Sequence, residues 1–265
     1  MFYKIIARCS VRILLLSDIH ANLEALEACL AAAPAYDVVM NLGDVVGYGA
    51  SPNEVIVQSR RLGQLFVRGN HDKAVCGLMD TLDFNPIASA AVEWTRNQLT
   101  PENLDWLRAL PHGPVTMEGV ADVQFVHGSP ADEDEYVVMP PEALRLLEES
   151  PVPLTFFGHT HLQGCFVTSM DAAGKQSEGF YPNYKTVGQA ETVDLPIRSG
   201  FRYMVNPGSV GQPRDGDWRA AFAVYDTEAR VVTYCRVPYK LQEAQERIIA
   251  ANLPPRLATR LAAGK

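Results

Sequence analysis

An α/β fold is predicted by three features of the chain. Short apolar runs alternate with helical patterns through its first half, strand patterns dominate beyond residue 166, and five of the apolar runs end in polar clusters of one kind. The order β-α-β-α-β implies right-handed crossovers and a largely parallel sheet with helices on its faces.

The elements follow in order. Ile13 to Leu16 reads as a buried strand; Lys4 and Arg8 ahead of it resemble the start of a signal peptide, but Arg12 interrupts the apolar stretch and Asp18 and His20 close it. Asn22 is placed to cap a helix whose Leu23, Leu26 and Leu30 recur at helical spacing. Val38 to Leu42 is a second strand. Ser51, Pro52 and Glu54 then mark a helix start, with a hydroxyl N-cap, proline at the first helical position and a carboxylate placed for a capping box. Leu65 to Val67 is a third strand. Asn85 and Pro86 open a helix running to Gln98, and Thr100 and Pro101 open another reaching Leu110. Val123 to Val126 is a strand, Pro140 to Glu148 a helix, and Leu154 to Phe157 a strand. Phe166 to Met170, Tyr203 to Val205, Ala221 to Tyr225 and Val231 to Val237 then imply a second sheet, and a helix from Leu241 to Asn252 closes the chain. Glycine, proline and serine positions between 172 and 200 indicate a loop or hairpin. One domain over residues 1–265 is expected, with a variable insertion at 172–200.

A chain of 265 residues that is 47% hydrophobic and 20% charged is an ordinary globular chain with enough length for a sizeable core. A formal net charge of −8 argues against an extended nucleic-acid surface, although a local basic pocket is compatible with it. The five cysteines are odd in number, scattered and never spaced as C-x-x-C, so neither a disulfide framework nor a thiolate zinc site is expected. Buried reduced thiols, no membrane span and a cytoplasmic location are expected instead. Composition leaves the oligomeric state open.

The polar clusters are Ser17-Asp18-Ile19-His20, Gly43-Asp44, Gly69-Asn70-His71-Asp72, Val126-His127-Gly128 and Gly158-His159-Thr160-His161. In an open α/β sheet, ligands gather beyond the carboxyl ends of the strands, so clusters far apart in sequence converge there. Taken singly, each has an ordinary alternative. Asp-x-His can be a turn with a hydrogen-bonded histidine, and Gly-Asn-His-Asp a type I′ or related turn. Gly-His-Thr-His says more, because imidazoles two residues apart in extended chain project to the same side. Five of the six histidines fall in these clusters; His112 lies outside and is read as structural or exposed. Carboxylate, amide and imidazole donors without thiolates suit manganese, iron, zinc or cobalt rather than an all-oxygen calcium cage. Asp18, His20, Asp44, Asn70, His127, His159 and His161 exceed the needs of one ion. Two divalent ions sharing a carboxylate use all seven, and a pair of ions at about 3.5 to 4 Å recurs in displacement at phosphorus.

Found together in this order, the motifs resemble those of the calcineurin-like metallophosphoesterases. They cover residues 13 to 161, and Asn206-Pro207-Gly208-Ser209-Val210 is similar to a segment of the smaller bacterial and archaeal phosphodiesterase-like members. The resemblance implies a four-layer α-β-β-α sandwich of two mixed sheets flanked by helices. It implies one cation on Asp18, His20, Asp44 and His161, the other on Asp44, Asn70, His127 and His159, and Asp44 as the bridge. His71 matches the family's general acid, and an arginine at the position of Arg68 grips the substrate phosphate; a surface arginine at a strand end is the alternative for Arg68. The chain departs from the protein phosphatases and the dinucleoside tetraphosphate hydrolases, which carry Asp-Arg-Gly where this sequence continues Asp44-Val45-Val46-Gly47-Tyr48-Gly49.

The expected chemistry is attack on phosphorus by a hydroxide bridging the two cations, with His71 protonating the leaving oxygen. The expected substrate is a small phosphodiester or phosphomonoester, nucleotide-derived among the options. A protein phosphatase or dinucleoside polyphosphate hydrolase, and a metal-bearing binding module without catalysis, are the alternatives. Arg214, with Asp215 and Asp217 after Asn206-Pro207-Gly208, either shapes the substrate pocket or belongs to an ordinary turn. Asp72 is read as a cap rather than as a partner of His71, and Tyr181 and Tyr184 as loop packing rather than a stacking platform.

Overall fold

The computed structural model describes residues 2–3, 10–63, 65–170, 176–186 and 188–265, with residues 2–3 described by backbone alone. Lys4, Arg8 and Cys9 lie outside the described residues, as does part of the 172–200 insertion. In chain order the elements are β1 (Phe2–Tyr3), β2 (Arg12–Leu16), α1 (Leu23–Ala32), β3 (Val38–Asn41), α2 (Pro52–Arg61), β4 (Leu65–Phe66), α3 (Asn70–Val75), α4 (Pro86–Gln98) and α5 (Pro101–Arg108). They continue with β5 (Val115–Met117), β6 (Val120–Phe125), α6 (Pro140–Glu149), β7 (Leu154–Phe156), β8 (Gly164–Ser169), β9 (Glu178–Phe180), β10 (Glu191–Pro196), β11 (Phe201–Asn206), β12 (Ala220–Asp226), β13 (Val231–Val237), α7 (Leu241–Ala250) and α8 (Pro255–Ala263).

These strands form two mixed sheets, one in the order β10-β13-β12-β2-β3-β4 and the other in the order β1-β5-β6-β7-β11-β8-β9. Period-two alternation divides the apolar residues among three cores. On β2, Leu14 and Leu16 face the helices, while Ile13 and Leu15 face the other sheet. Phe222 and Val224 of β12 do the former, and Ala223 and Tyr225 the latter. Between the sheets, these inward residues meet Phe125, Phe156, Tyr203 and Val205 of the opposite sheet. On the outer face of that second sheet, Met204, Phe157 and Phe166 pack against Ala143, Leu146 and Leu147 of α6. The result is the four-layer α-β-β-α sandwich.

Local signals set the helix starts. Asn22, Asn85 and Thr100 accept hydrogen bonds from the N–H groups of their first turns, and prolines open α2, α4, α5, α6 and α8. Ser51 differs from expectation: its hydroxyl makes no cap bond, and α2 starts on Pro52, whose fixed φ is already helical. The turn alternative for Gly69-Asn70-His71-Asp72 also gives way, because these residues begin α3, where the Asp72 carboxylate accepts the Gly69 N–H at 3.0 Å and the Val46 N–H at 3.2 Å.

The chain does not close on α7. After Pro254, α8 folds back with Leu257, Ala258 and Leu261 in the helical core. The insertion is more ordered in strand than a loop: β9 pairs with β8, and β10 crosses to the other sheet to pair with β13. Cys29, Cys76, Cys165 and Cys235 are free and buried. No helix among the described residues is long and apolar enough to cross a membrane.

Candidate metal centre

The carboxyl ends of β2, β3 and β4 in one sheet and of β6 and β7 in the other meet at one edge of the sandwich. Asp18 and His20 follow β2, Asp44 follows β3, Asn70 opens α3 after β4, His127 follows β6, and His159 and His161 follow β7. The Asp18 N–H donates to Gly43 O at 3.0 Å, the Gly158 N–H donates to His127 O at 2.8 Å, and His127 Nδ1 lies 2.7 Å from Leu42 O, which joins the two sheets at this edge. The turns are tight. Asp18, His20, Asp44, His159 and His161 all have positive φ, between 49° and 67°, a region that costs a non-glycine residue energy and persists where surrounding structure demands it. Gly43, at φ 100°, is required on two counts: its backbone is left-handed, and a Cβ there would stand 2.7 Å from both Gly69 N and His127 Nδ1.

Two groups of donor atoms result, each with all its atoms within 4.8 Å of one another: Asp18, His20, Asp44 and His161 in the first, and Asp44, His127 and His159 in the second. Asp44 belongs to both. The Asn70 amide oxygen lies 3.3 Å from His127 Nε2, beside the second group. These are the seven side chains singled out in the sequence, brought together and all nearly inaccessible to solvent.

The second ring nitrogens show what the cluster is arranged to hold. Nδ1 of His20, His127 and His161 lies 3.1, 2.7 and 2.6 Å from the carbonyl oxygens of Val46, Leu42 and Gln212, so each of these nitrogens carries a proton and aims Nε2 into the cluster, as a lone pair in His20 and His161. His159 is reversed, with Nε2 on Asp134 O at 3.1 Å and Nδ1 facing His127 at 3.1 Å. The lone pairs of His20 and His161 thus point at each other across 3.1 Å, and Asp18 Oδ1 is buried with no hydrogen-bond partner. Nitrogen and oxygen lone pairs converging without protons between them, and without thiolates, fit divalent cations.

Electrostatics agree. Burial pushes Asp18 up to about 7, with the Asp44 charge adding to it. Burial acts on Asp44 in the same direction, but the surrounding histidines hold its carboxyl well below the usual range. Burial keeps His20 and His161 well below their ordinary value, and His159 at about 3. His127 alone rises, to about 9, because the carboxylates of Asp44 and Asp18 outweigh its burial. A proton there takes the place of positive charge that the carboxylates call for.

Around this cluster lie the other sequence candidates. The His71 backbone N–H donates to Asp44 Oδ1 at 2.9 Å, and its ring lies 4.9 Å from that of His20 and 4.4 Å from that of Tyr48. Its Nδ1 is buried without a partner, and the ring borders a cavity of about 310 Å³ also lined by Tyr48, Phe84 and Tyr136. Burial lowers His71 to about 4. Asp72 does not orient it and bonds backbone groups only; burial and the Asp44 charge push its carboxyl up to about 7.

Arg68 is engaged elsewhere. Its Nε and Nη2 grip the Glu133 carboxylate at 3.2 and 3.0 Å, and Lys73 holds the same carboxylate at 2.9 Å. This ties down the loop whose Asp134 carbonyl faces His159. Arg214 faces the metal cluster: its backbone N–H donates to His161 O at 3.3 Å, its guanidinium lies 5.9 Å from the Tyr48 ring centre with Nη2 donating to Gln212 Oε1 at 3.2 Å, and its Nε is buried without a partner. His112 is exposed, 3.5 Å from Glu133.

Sequence reasoning missed three residues at the site. Tyr48 sits between Gly47 and Gly49 just after Asp44, and that Gly-Tyr-Gly spacing was its only signal. Tyr136 packs against His159 with ring centres 3.7 Å apart and planes tilted by 37°, and Arg260 arrives on α8, 5.7 Å from the Tyr48 ring centre. Tyr184 packs as expected, but against Gln163, whose side-chain oxygen accepts its hydroxyl at 2.6 Å.

Residues 11–163 match the sequence pattern of the Calcineurin-like phosphoesterase family, a span that contains all seven donor residues and His71 but neither Arg214 nor α8. An uncharacterized protein of Methanocaldococcus jannaschii, MJ0912, is 34% identical over 258 residues, which is 96% of this chain and 98% of that protein. The crystal structure of a metallophosphoesterase from Sphaerobacter thermophilus is similar at 40% identity and a TM-score of 0.80, covering 96% of this chain and 99% of that one. The hypothetical protein PH1004 of Pyrococcus horikoshii shares the fold at 21% identity, with a TM-score of 0.75 over 96% of this chain and 99% of its own.

Proposed function

The chain belongs to the calcineurin-like phosphoesterase family, and from that premise we propose that it cleaves a small phosphomonoester or phosphodiester at a centre of two divalent cations, manganese, iron or zinc. One observation carries the two-cation reading: two donor groups that share Asp44, with their imidazole lone pairs turned inward. Asp18, His20, Asp44 and His161 would hold one cation, and Asp44, Asn70, His127 and His159 the other. When bound, such cations supply Lewis acidity, neutralising phosphoryl oxygens and making water acidic enough to act as nucleophile near neutral pH.

The chain's own residues do the rest. Carbonyls of Val46, Leu42 and Gln212 hold Nδ1 of three histidines and so orient Nε2 of each towards the cluster. Arg214 has an unengaged Nε beside the cluster and is the guanidinium we assign to the scissile phosphate. Arg68 would first have to leave Glu133, so it serves the reading better as a support for the loop over His159. His71 stands at the border between the cluster and the cavity, where the leaving group departs. Burial keeps its ring neutral in the free chain, and the negative charge of an arriving phosphate favours its protonation, so the proton it delivers is taken up with the substrate.

The test is hydrolysis of p-nitrophenyl phosphate and bis(p-nitrophenyl) phosphate by metal-stripped protein, with single divalent ions added back. Turnover restored by a transition metal, and lost with metal content in Asp44→Asn, is the expected result; the ester preferred decides between phosphatase and phosphodiesterase. Absence of turnover with every ion, in a chain that still binds two, would replace catalysis with a binding role. In His71→Asn, turnover of esters with poor leaving groups should fall by about 10² to 10⁴ while metal content stays. Full activity on such esters would remove His71 from the mechanism.

A further inference from the structure

The metal centre is the inner end of a longer cleft, and a row of guanidinium groups leads out of it. Arg214 stands nearest the donor cluster, its backbone N–H on the His161 carbonyl and its guanidinium charge acting on the His161 ring. Tyr48 comes next, its ring 4.7 Å from that of His20 and within 6 Å of both Arg214 and Arg260. Arg260 is delivered by α8, whose Leu257, Ala258 and Leu261 are locked in the helical core. Arg256 lies one turn earlier on the same face of that helix. Arg256 and Arg260, with Thr259, Lys265 and Asn85, line a groove of about 650 Å³ that has no aspartate or glutamate in its wall. Asn85 also lines the cavity beside His71, so groove and cavity adjoin.

This row is unusual for its setting. The chain carries a net charge of −8, yet among the described residues neither Arg214, Arg256 nor Arg260 pairs with an aspartate or glutamate side chain; Arg260 Nε donates to the Lys265 carbonyl oxygen and Arg214 Nη2 to Gln212 Oε1, which leaves other guanidinium N–H groups of both for an anion. Arg219 and Arg236 show the ordinary outcome, each resting on an aspartate. Partial burial and the neighbouring Arg214 charge depress the pKa of Arg260, a cost that a bound anion would offset. A guanidinium is the group best shaped for two hydrogen bonds to a phosphate.

We propose that Arg260, with Arg256 behind it, forms a second anion site one leaving group away from the metal centre, and that this site selects phosphoesters carrying a second phosphate. The leaving group then spans the cavity between Phe84 and Tyr136. The proposal rests on the phosphoester-hydrolase reading for its biological meaning, but binding tests it separately.

Adenosine 3′,5′-bisphosphate and adenosine 5′-monophosphate differ by the second phosphate alone. Calorimetric titration of the full chain, as purified and after chelation, should show the bisphosphate binding at least tenfold tighter. In Arg260→Gln that ratio should collapse at least fivefold, and in Arg260→Lys much of it should return. With the metal-loaded chain, the same variants should change the ratio of kcat/KM for the two nucleotides through KM. If Arg260→Gln melts early, Arg256→Gln, exposed in the groove, carries the same comparison. A ratio near one in the wild type, or a ratio unmoved by both substitutions, overturns the proposal. Preferential binding that persists while no ester is hydrolysed supports the anion site and removes the hydrolase reading instead.

Discussion

At the scale of single residues, the site is organised by what each side chain's second atom does. The histidines face the cluster correctly because carbonyls take their other nitrogens, and the loop over His159 stays down because Glu133 is held by Arg68 and Lys73. Those two cations outweigh the partial burial of Glu133 and hold its carboxyl below its ordinary value of 4.5. A folded-state pKa that is depressed contributes stability above the unfolded value and loses it as pH falls through the folded one. Wild type should therefore melt above Glu133→Gln at pH 7, and the gap should close as pH drops below about 4.5. A gap of constant size across that range would show that the ion pairs are not its source. The seven donors and His71 were legible because each sits in a short motif at a strand end. Tyr48, Tyr136 and Arg260 were not, since an aromatic or an arginine without a motif reads as core or surface until the chain is folded.

Among elements, the residue just before β8 is a hub that couples the insertion to the site. Gln163 Nε2 lies within 3.2 Å of the carbonyls of Pro207, Phe222 and Cys235, and its oxygen accepts from Tyr184 and Arg236. Arg236 in turn pairs with Asp215, the neighbour of Arg214. Gln163→Leu strands buried polar groups on β12, β13, the turn after β11 and the insertion, and should cost about 1–3 kcal/mol in denaturant unfolding. A loss well under 1 kcal/mol would mean that water or neighbours satisfy those groups. Long elements with caps or strong periodicity were read correctly from sequence, including α4 and β13 to the residue. Elements missed were short or disguised. β5 and β9 have three residues and α3 has six, too few to show a period, and α8 hides behind Pro254-Pro255, where proline serves as a helix start rather than a break.

For the whole molecule, cations bound at the cluster would support the fold, and the fold them. Buried carboxylates and inward lone pairs are costly without positive charge, so metal binding would stabilise the folded chain by mass action. At a free metal concentration of about 100 times Kd the gain is about 2.7 kcal/mol, which for a chain of this size corresponds to a fall in Tm of about 5–10 °C on chelation. Scanning calorimetry with and without chelator measures it, and an unchanged Tm would mean that the cluster binds no cation. The two-sheet, α/β character was legible in the order of strands and helices. The face-to-face stacking came only with the family resemblance, because alternation shows that a strand has two buried faces without saying what covers each.

Each donor group draws from both sheets: Asp18, His20 and Asp44 from one and His161 from the other in the first, Asp44 from one and His127 and His159 from the other in the second. A cation therefore works as a clasp between two halves of the sandwich, fastening loops of more than a hundred residues with one bond set. His159 and His161 come last in the chain, so a growing polypeptide has neither set complete until the end of β7 has been made. Metal capture is then a report that the two sheets have found each other, and a truncated or misdocked chain gives itself away by leaving its metal behind.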